Sequence, residues 1–574
     1  MHLTRRDLGK YAAAGAALSA VPLALASCGQ ASNLDNGSGG SGAGDGDDDK
    51  PIISAYNGAT GSFTKNFNPH SPTVVHMIQG LIYETLFYFN PLKAIDQEPE
   101  PQLGQTFEWN EDGTALTVTV REGVTWTDGE PFTANDVAFT FNKIKDTEAL
   151  NNGGQAPAAE ATDDKTVVIT WDKPSFNEAP SALGRTWIIP EHLMADVDDL
   201  STFANEEPVG TGPFIMNDFT PESYVMMANP DYWEEGKPGI GGVRCISMSG
   251  NQSATDQWLA GNIDYMSSQI PDIDGHIERN PELSYTNTGV SQIVLFAASN
   301  PELGCEGPQT DPAVRKALYY GMDREQLSKL AFFDLATDIS PALALPDRDA
   351  EFIDPSIELA PWNAQPDMAT KALEDAGYTK GSDGIYEKDG QKVSMTISCP
   401  TGWADYVTAL DTLAEQYKAI GIELTPQQVS VNEWNDAKAK GTFQLVIDGA
   451  AQGPAPDPYY VYQNYFSTEN TVPAGENGNP YLNVTRFSDP EVDAALDAAS
   501  ATADPQEKKA QYAIIQKKLW EVMPAIPVAV GSSMTEYNNS KATGWPTQDD
   551  LYAYPMSWAA PDAAMVLKHI VPAE

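Results

Sequence analysis

Cysteine is scarce in this sequence of 574 residues, which contains only Cys28, Cys245, Cys305 and Cys399. Cys28 belongs to an apolar leader, so three cysteines remain in the body, and at most one disulfide can form there. The sequence does not determine which pair would form it. Neither a Cys-x-x-Cys motif nor a cluster of cysteine and histidine is present, so we expect no bound metal and no cofactor.

Basic residues are also few. Lysine and arginine number 34 against 81 aspartates and glutamates, which gives a formal net charge of −47. Removal of residues 1–27, which carry a net charge of +2, would change this value to −49. Nucleic acids and anionic lipids bind basic surfaces, so we exclude nucleic acid as a partner.

The motifs of common catalytic sites are missing. The sequence contains no Gly-x-Ser-x-Gly elbow, no phosphate-binding Gly-x-x-x-x-Gly-Lys loop and no His-Glu-x-x-His pair. With 81 acidic residues, a pair of catalytic carboxylates such as a glycosidase uses would give no distinct signal. We therefore expect a binding protein and no enzyme, with a secreted hydrolase, an extracellular chaperone and a signalling receptor as alternatives.

The apolar run near the amino terminus, Tyr11–Ala26, is short for a helix that spans a bilayer. It follows Thr4–Lys10, which fits a twin-arginine export pattern. Residues 25–28, Leu-Ala-Ser-Cys, resemble a bacterial lipobox, which implies cleavage before Cys28 and lipidation of its thiol. We predict a signal segment over 1–28 and an extracytoplasmic lipoprotein on the outer face of the cell membrane. The alternative is an ordinary signal peptide with an incidental cysteine.

A tether is predicted over residues 29–50, where Gly, Ser, Asn and Asp dominate and nothing apolar is available for a core. A coil of this length spans roughly 25 Å, which would hold a globular body just clear of a membrane.

The body, residues 51–574, shows an α/β pattern. Tyr406–Ile420 is amphipathic and stops at Gly421, after which Ile422–Leu424 reads as a strand. Further β-like runs are predicted at Val393–Ile397 and Phe443–Ile447. Helix starts are predicted where an aspartate precedes a proline, at Asp311, Asp489 and Asp504.

The stretch 116–141 combines a strand, a turn and a helix. Leu116, Val118 and Val120 alternate with threonine, which is typical of a half-buried strand. The polar residues 127–131 form a turn, and Thr133 is predicted to cap the following helix.

The residue pattern of this stretch resembles the signature of extracytoplasmic solute-binding proteins of the dipeptide, oligopeptide and nickel type, known as family 5. Further segments match in the family's order, covering most of 51–574. They are Pro101–Gly104, Pro208–Phe214, Asn229–Trp233, Gly261–Asp264, Asp311–Leu318 and Leu373–Tyr378.

This resemblance implies a two-lobed periplasmic-binding-protein-like fold of type II, cluster C, with an inserted domain and a hinge. It places domain I in 51–95, 209–292 and 530–574, domain II in 96–208, and domain III in 293–529. Two hinge strands near 285–296 and 525–533 would join the lobes. It also implies a monomer that delivers its ligand to the permease of an ABC transporter.

The resemblance identifies candidate ligand-binding residues as well. In peptide-binding relatives, an acidic residue of domain III pairs with the ammonium group of the peptide. The matching segment here, 448–458, keeps Asp457 before a proline, but Gly453 or Pro454 occupies the acidic position. We therefore expect Asp448 to take over the ammonium contact, unless the ligand lacks an amino terminus.

Aromatic residues supply the remaining candidates, and a packed core position is the alternative for each of them. Trp434 and Trp403 lie where family members line side-chain pockets. The predicted ligand-binding set comprises Trp403, Trp434, Asp448, Asp457, Tyr459 and Trp558, with Tyr460 beside it.

Peptides are the first ligand class that the resemblance implies. Oligosaccharides are the alternative, because the acidic anchor is lost and twelve tryptophans are available to stack on sugar faces. Nickel is a further ligand in the family, but no histidine here falls in a supporting motif.

Overall fold

The computed structural model describes residues 50–574 except for 60, 72, 94–96 and 152–155. The signal segment, Cys28 and residues 29–49 of the tether lie outside the described residues. Strands and helices alternate along the described chain, which confirms the α/β class. Its strands are β1 (Ile52–Tyr56), β2 (Phe87–Tyr88), β3 (Glu100–Pro101), β4 (Gly104–Trp109), β5 (Ala115–Val120), β6 (Ala158–Asp163), β7 (Thr166–Thr170), β8 (Phe214–Phe219), β9 (Ser223–Ala228), β10 (Gly242–Ile246), β11 (Tyr265–Met266), β12 (Leu283–Ala297), β13 (Thr379–Lys380), β14 (Tyr386–Lys388), β15 (Gln391–Lys392), β16 (Ser394–Pro400), β17 (Glu423–Val429), β18 (Leu445–Ala450), β19 (Ala525–Asn538), β20 (Ala542–Thr543) and β21 (Val571–Pro572).

The helices are mostly short. Among those described, none combines the length and the apolar character that crossing a bilayer requires. In chain order they are α1 (Ile78–Leu81), α2 (Ala134–Asp146), α3 (Ala179–Gly184), α4 (Glu191–Met194), α5 (Asn251–Leu259), α6 (Ile273–Arg279), α7 (Pro312–Gly321), α8 (Arg324–Ala331), α9 (Pro366–Asp375), α10 (Ala404–Ala419), α11 (Val431–Lys440), α12 (Tyr459–Phe466), α13 (Pro490–Ser500), α14 (Pro505–Val522) and α15 (Asp562–His569).

Local sequence signals account for many of these boundaries. Strand β5 buries its alternate apolar residues, and α2 begins after Thr133 as predicted. The Thr133 hydroxyl accepts the backbone N–H of Asn135 at 3.2 Å, while Asp136 Oδ2 accepts the N–H of Thr133 at 2.9 Å. These reciprocal bonds satisfy donors that the first turn of a helix leaves free.

The three predicted Asp-Pro helix starts are confirmed. Asp311, Asp489 and Asp504 cap α7, α13 and α14, and each side chain accepts a backbone N–H of the first turn at 2.7–2.9 Å. The proline that follows each aspartate occupies the first helical position, where a missing N–H costs nothing.

A ten-stranded mixed sheet runs through the molecule in the order β17-β16-β18-β12-β19-β11-β1-β10-β9-β8. Its two long central strands, β12 and β19, pair antiparallel from Leu283 opposite Asn538 to Phe296 opposite Ala525. The register shifts twice, between Thr288 and Ser291 and between Ile293 and Val294. The first shift divides the long pair into one part for each lobe.

Two hydrophobic cores flank this division, and each defines one lobe. One core contains Ile293–Ala297 of β12, Ala525–Val530 of β19 and the helices between 312 and 519. The other contains β1, β10, Trp187 and the apolar face of α15. Strands β12 and β19 therefore connect the two lobes, because their opposite ends belong to different parts of the structure.

A separate antiparallel sheet, β4-β5-β7-β6, packs against α2 around a third core. Beyond β7, a turn of 3-10 helix over Phe176–Glu178 leads directly into α3. This turn reaches the opposite lobe, since the Tyr460 hydroxyl donates to the carbonyl of Asn177 at 2.8 Å.

Candidate functional site

A cavity of about 820 Å³ lies between the two lobes. Its volume falls within the range of small-molecule sites, roughly 300–1,000 Å³. Its walls come from segments that are far apart in the chain. They include residues around His76, 178–187, Ser291, Arg348, 449–464, Ser533 and 554–562.

The loop after β18 forms one wall. Main chain from Gly449 to Pro454 lines the cavity, followed by Tyr459 and Tyr460 in the first turn of α12. The two tyrosine rings meet edge to face with centroids 5.6 Å apart. Tyr459, one of the predicted ligand-binding residues, therefore lies at the cavity.

Trp558 lines the opposite wall and is 48 % exposed. Its ring meets that of Tyr554 edge to face, with centroids 6.1 Å apart. An indole with this solvent exposure beside a cavity offers an apolar surface that a ligand can cover.

Asp457 is buried behind the first wall, next to Tyr459 at the start of α12. Its Oδ1 accepts the backbone N–H of Tyr459 at 2.8 Å and the hydroxyl of Tyr512 at 2.7 Å. Lys508 Nζ lies 3.5 Å from Oδ2. Asp457 thus holds the start of α12 in place, and it lines a smaller cavity of about 340 Å³ together with Tyr460 and Lys508.

Trp403, Trp434 and Asp448 gather in a separate cluster outside the lining of the 820 Å³ cavity. The two indoles meet edge to face at 5.5 Å, and Lys438 Nζ lies 3.6 Å from the Trp434 ring centroid. The same amine is 2.7 Å from Asp448 Oδ2, while Oδ1 accepts the N–H of Gly449. Asp448 is therefore already ion-paired.

Burial shifts the pKa values of this pair in opposite directions. It raises the pKa of Asp448, which the charge of Lys438 partly counteracts, and it lowers the pKa of Lys438. The attraction between the two groups opposes both shifts and offsets part of the cost of removing them from water.

Two arginines that sequence reasoning missed also line the cavity. Arg348 binds both oxygens of Asp349, at 2.7 and 2.9 Å. Arg185 lies 3.4 Å from the buried Asp562 and donates to the carbonyl of Ala560. No motif in the sequence marks these residues, because packing between distant segments brings them to the cavity.

Glu178 is the third charged residue that the sequence did not indicate. It lies at the end of the 3-10 turn and lines the same cavity, close to Tyr459 and Tyr460. Burial raises its pKa above the ordinary value of 4.5, and the charge of Lys173 lowers it in part.

Metal-binding groups do not come together in the part of the chain that the structure describes, where no three His, Cys, Asp or Glu side chains form a suitable cluster. Cys245, Cys305 and Cys399 are buried free thiols.

Comparison with known proteins gives a consistent result. The family model of bacterial extracellular solute-binding proteins, family 5 middle region, matches residues 98–472. Protein XP55 of Streptomyces lividans is 30 % identical over 442 residues, which cover 74 % of each chain. A putative ABC transporter peptide-binding protein of Brucella ovis is 26 % identical over 531 residues, 88 % of this chain and 93 % of that one.

Solved structures show the same architecture. The periplasmic oligopeptide-binding protein of an oligopeptide ABC transporter from Thermotoga maritima matches with a TM-score of 0.81 at 24 % identity, over 91 % of this chain and 99 % of that chain. Its mannohexaose-bound form matches with a TM-score of 0.77 over the same shares. At this identity the likeness concerns the fold, and it confirms the predicted two-lobed periplasmic-binding-protein fold.

Proposed function

We propose, since this chain belongs to the bacterial extracellular solute-binding proteins of family 5, that it captures oligopeptides between its lobes for an ABC transporter. The cavity of about 820 Å³ between the two cores carries this proposal. Its walls combine main chain, which can hydrogen-bond a peptide backbone, with aromatic side chains that can cover peptide side chains. The name of the Brucella relative supports the same ligand class.

Within this function, Tyr459 and Trp558 are the predicted site residues that we assign to direct ligand contact. Three further predicted residues, Trp403, Trp434 and Asp448, would contribute to ligand binding from a cluster that does not line the cavity. Asp457 would position the start of α12. The proposal includes the three predicted domains. Domain I comprises 51–95, 209–292 and 530–574, domain II comprises 96–208, and domain III comprises 293–529.

An oligosaccharide receptor is the second candidate. The Thermotoga protein, although described as oligopeptide-binding, holds mannohexaose in one structure. Trp187 and Trp558 at the cavity would suit the apolar faces of sugars.

A thermal-shift experiment separates the two candidates. The purified chain is heated with di- to nonapeptides and, in parallel, with mannohexaose and related oligosaccharides. A ligand that binds only the folded state increases the free energy of unfolding, by about 2.7 kcal/mol at a hundredfold excess over its dissociation constant, and the melting temperature rises with ligand concentration as a result. Stabilisation by sugars alone would reject the peptide proposal, and stabilisation by neither class would reject both.

Attachment to the membrane through Cys28 is part of the proposal, together with delivery of the ligand to a permease by a monomeric receptor. Two acyl chains on one cysteine suffice for stable anchoring. We expect Cys28→Ala to release the protein into the medium of the producing cells. Continued fractionation of this variant with membranes would contradict the anchor.

A further inference from the structure

Glu178 differs from the other charged side chains that line the 820 Å³ cavity. Arg348 is paired with Asp349, and Arg185 is paired with Asp562. Glu178 has no hydrogen bond and no ion pair within 4 Å to any side chain in the described ranges. Its carboxylate therefore borders the cavity without a cation of its own.

Lys173, whose charge lowers the pKa of Glu178, is already paired with other carboxylates. Lys173 Nζ lies 3.2 Å from Asp497 Oδ1 and 3.6 Å from Glu469 Oε1. Glu469 raises the pKa of Glu178, which shows that the two carboxylates repel each other. The charge of Lys173 is thus shared among Asp497, Glu469 and Glu178.

Two tyrosines line the same cavity as this carboxylate. They are Tyr459 and Tyr460, and the Tyr460 hydroxyl donates to the carbonyl of Asn177, the residue before Glu178, at 2.8 Å. The charge of Glu178 also contributes to the raised pKa of both tyrosines. A carboxylate near aromatic side chains is a favourable environment for an ammonium group, which can pair with the carboxylate and contact the aromatic side chains.

The two alternative acidic residues are occupied. Asp448 is paired with Lys438 and accepts the N–H of Gly449. Asp457 is enclosed by protein donors on both oxygens and is 4 % exposed. Neither Asp448 nor Asp457 lines the 820 Å³ cavity.

We propose that Glu178 binds the ammonium group of the ligand, so that this receptor selects peptides with a free amino terminus through the 96–208 segment. Glu178, in the opposite lobe, then supplies the carboxylate that positions 453 and 454 lack. Binding of the ammonium group to Glu178 would also join the lobes, since Tyr459 and Tyr460 belong to the other one. This inference rests on the proposed peptide function.

Isothermal titration calorimetry tests the proposal. The purified chain is titrated with a peptide series in which each member is offered with a free and with an N-acetylated amino terminus. We expect acetylation to weaken binding by roughly 10- to 100-fold, the range for losing one charged hydrogen bond. Glu178→Gln should weaken binding of the free peptides by the same factor and leave the acetylated peptides unchanged.

Glu111→Gln serves as the matched control, because it removes an exposed carboxylate of the same 96–208 segment that does not line the cavity. We expect it to preserve the preference for a free amino terminus. A preference that persists unchanged in Glu178→Gln would overturn the assignment. If Glu178→Gln fails to fold, the wild-type titration still tests the proposal. Equal affinity of the wild-type chain for free and acetylated peptides would overturn the assignment of an ammonium site. If the wild-type chain binds no peptide of either kind, the proposed function itself fails.

Discussion

Glu536 is a buried carboxylate in β19 whose Oε2 accepts the N–H of Ser268 at 3.1 Å. Its Oε1 has no hydrogen-bond partner within the described residues, and burial raises its pKa well above 4.5. The folded protein therefore keeps this proton to a higher pH than the unfolded chain does. Stability contributed by the neutral form is lost as the pH rises above about 4.5.

Glu536→Gln should remove this loss, because the amide imitates the protonated acid and does not ionise. We expect the free energy of unfolding to fall less between pH 5 and pH 8 in the variant than in the wild type. Urea denaturation across this range measures the difference. Glu302→Gln, at an exposed position, is the control. Identical pH dependence of wild type and Glu536→Gln would contradict the prediction.

Asp448 and Lys438 form a second test at the residue scale. The Lys438 side chain is 1 % exposed and that of Asp448 is 23 % exposed, so removing one charge leaves the other poorly solvated. We expect Asp448→Asn to lower the free energy of unfolding by about 2 kcal/mol. The control is Asp436→Asn, which breaks an exposed pair with Lys440 and should cost at most about 0.5 kcal/mol. Equal costs for the two variants would show that burial of the pair is unimportant.

At the scale of a single element, α2 depends on its capping residues. Thr133→Ala removes one cap bond and should cost about 1 kcal/mol. Asp136→Ala should cost more, because Asp136 also accepts the backbone N–H of Glu191 at 3.0 Å and so ties α2 to α4. Denaturant unfolding of both variants tests this order. A smaller cost for Asp136→Ala than for Thr133→Ala would contradict it.

At the scale of the whole body 50–574, contacts across the cavity hold the lobes together in this structure. The Tyr460 hydroxyl donates to the carbonyl of Asn177, and Lys173 bridges to Asp497 and Glu469. These bonds join segments of the two lobes, so we expect them to contribute to the balance between open and closed forms.

Tyr460→Phe should shift this balance towards the open form. Losing one hydrogen bond changes a two-state equilibrium by about 1 kcal/mol, roughly fivefold. We expect a larger radius of gyration for the unliganded variant in small-angle X-ray scattering, and a smaller difference once ligand is present. Tyr481→Phe, at a residue that is 64 % exposed, is the control. An unchanged radius for Tyr460→Phe would show that this bond does not restrain the lobes.

Features that depend on neighbouring residues can be predicted from the sequence alone. Alternation of apolar residues predicted β5, and aspartate before proline predicted the starts of α7, α13 and α14. These signals are readable because strand periodicity and helix capping involve residues within four positions of one another. The ordered family motifs extended this local information to the two-lobed fold.

The side chains that meet at the cavity are brought together by tertiary packing, which local sequence patterns do not reveal. Glu178 and Tyr459 are 281 positions apart in the chain, and no periodicity relates them. Asp448 was the expected anchor, but the packing of α11 against the sheet places Lys438 on it and satisfies its charge. Pairing and burial of charges depend on the packing of distant segments across β12 and β19, and this packing leaves no trace in the local pattern of residues.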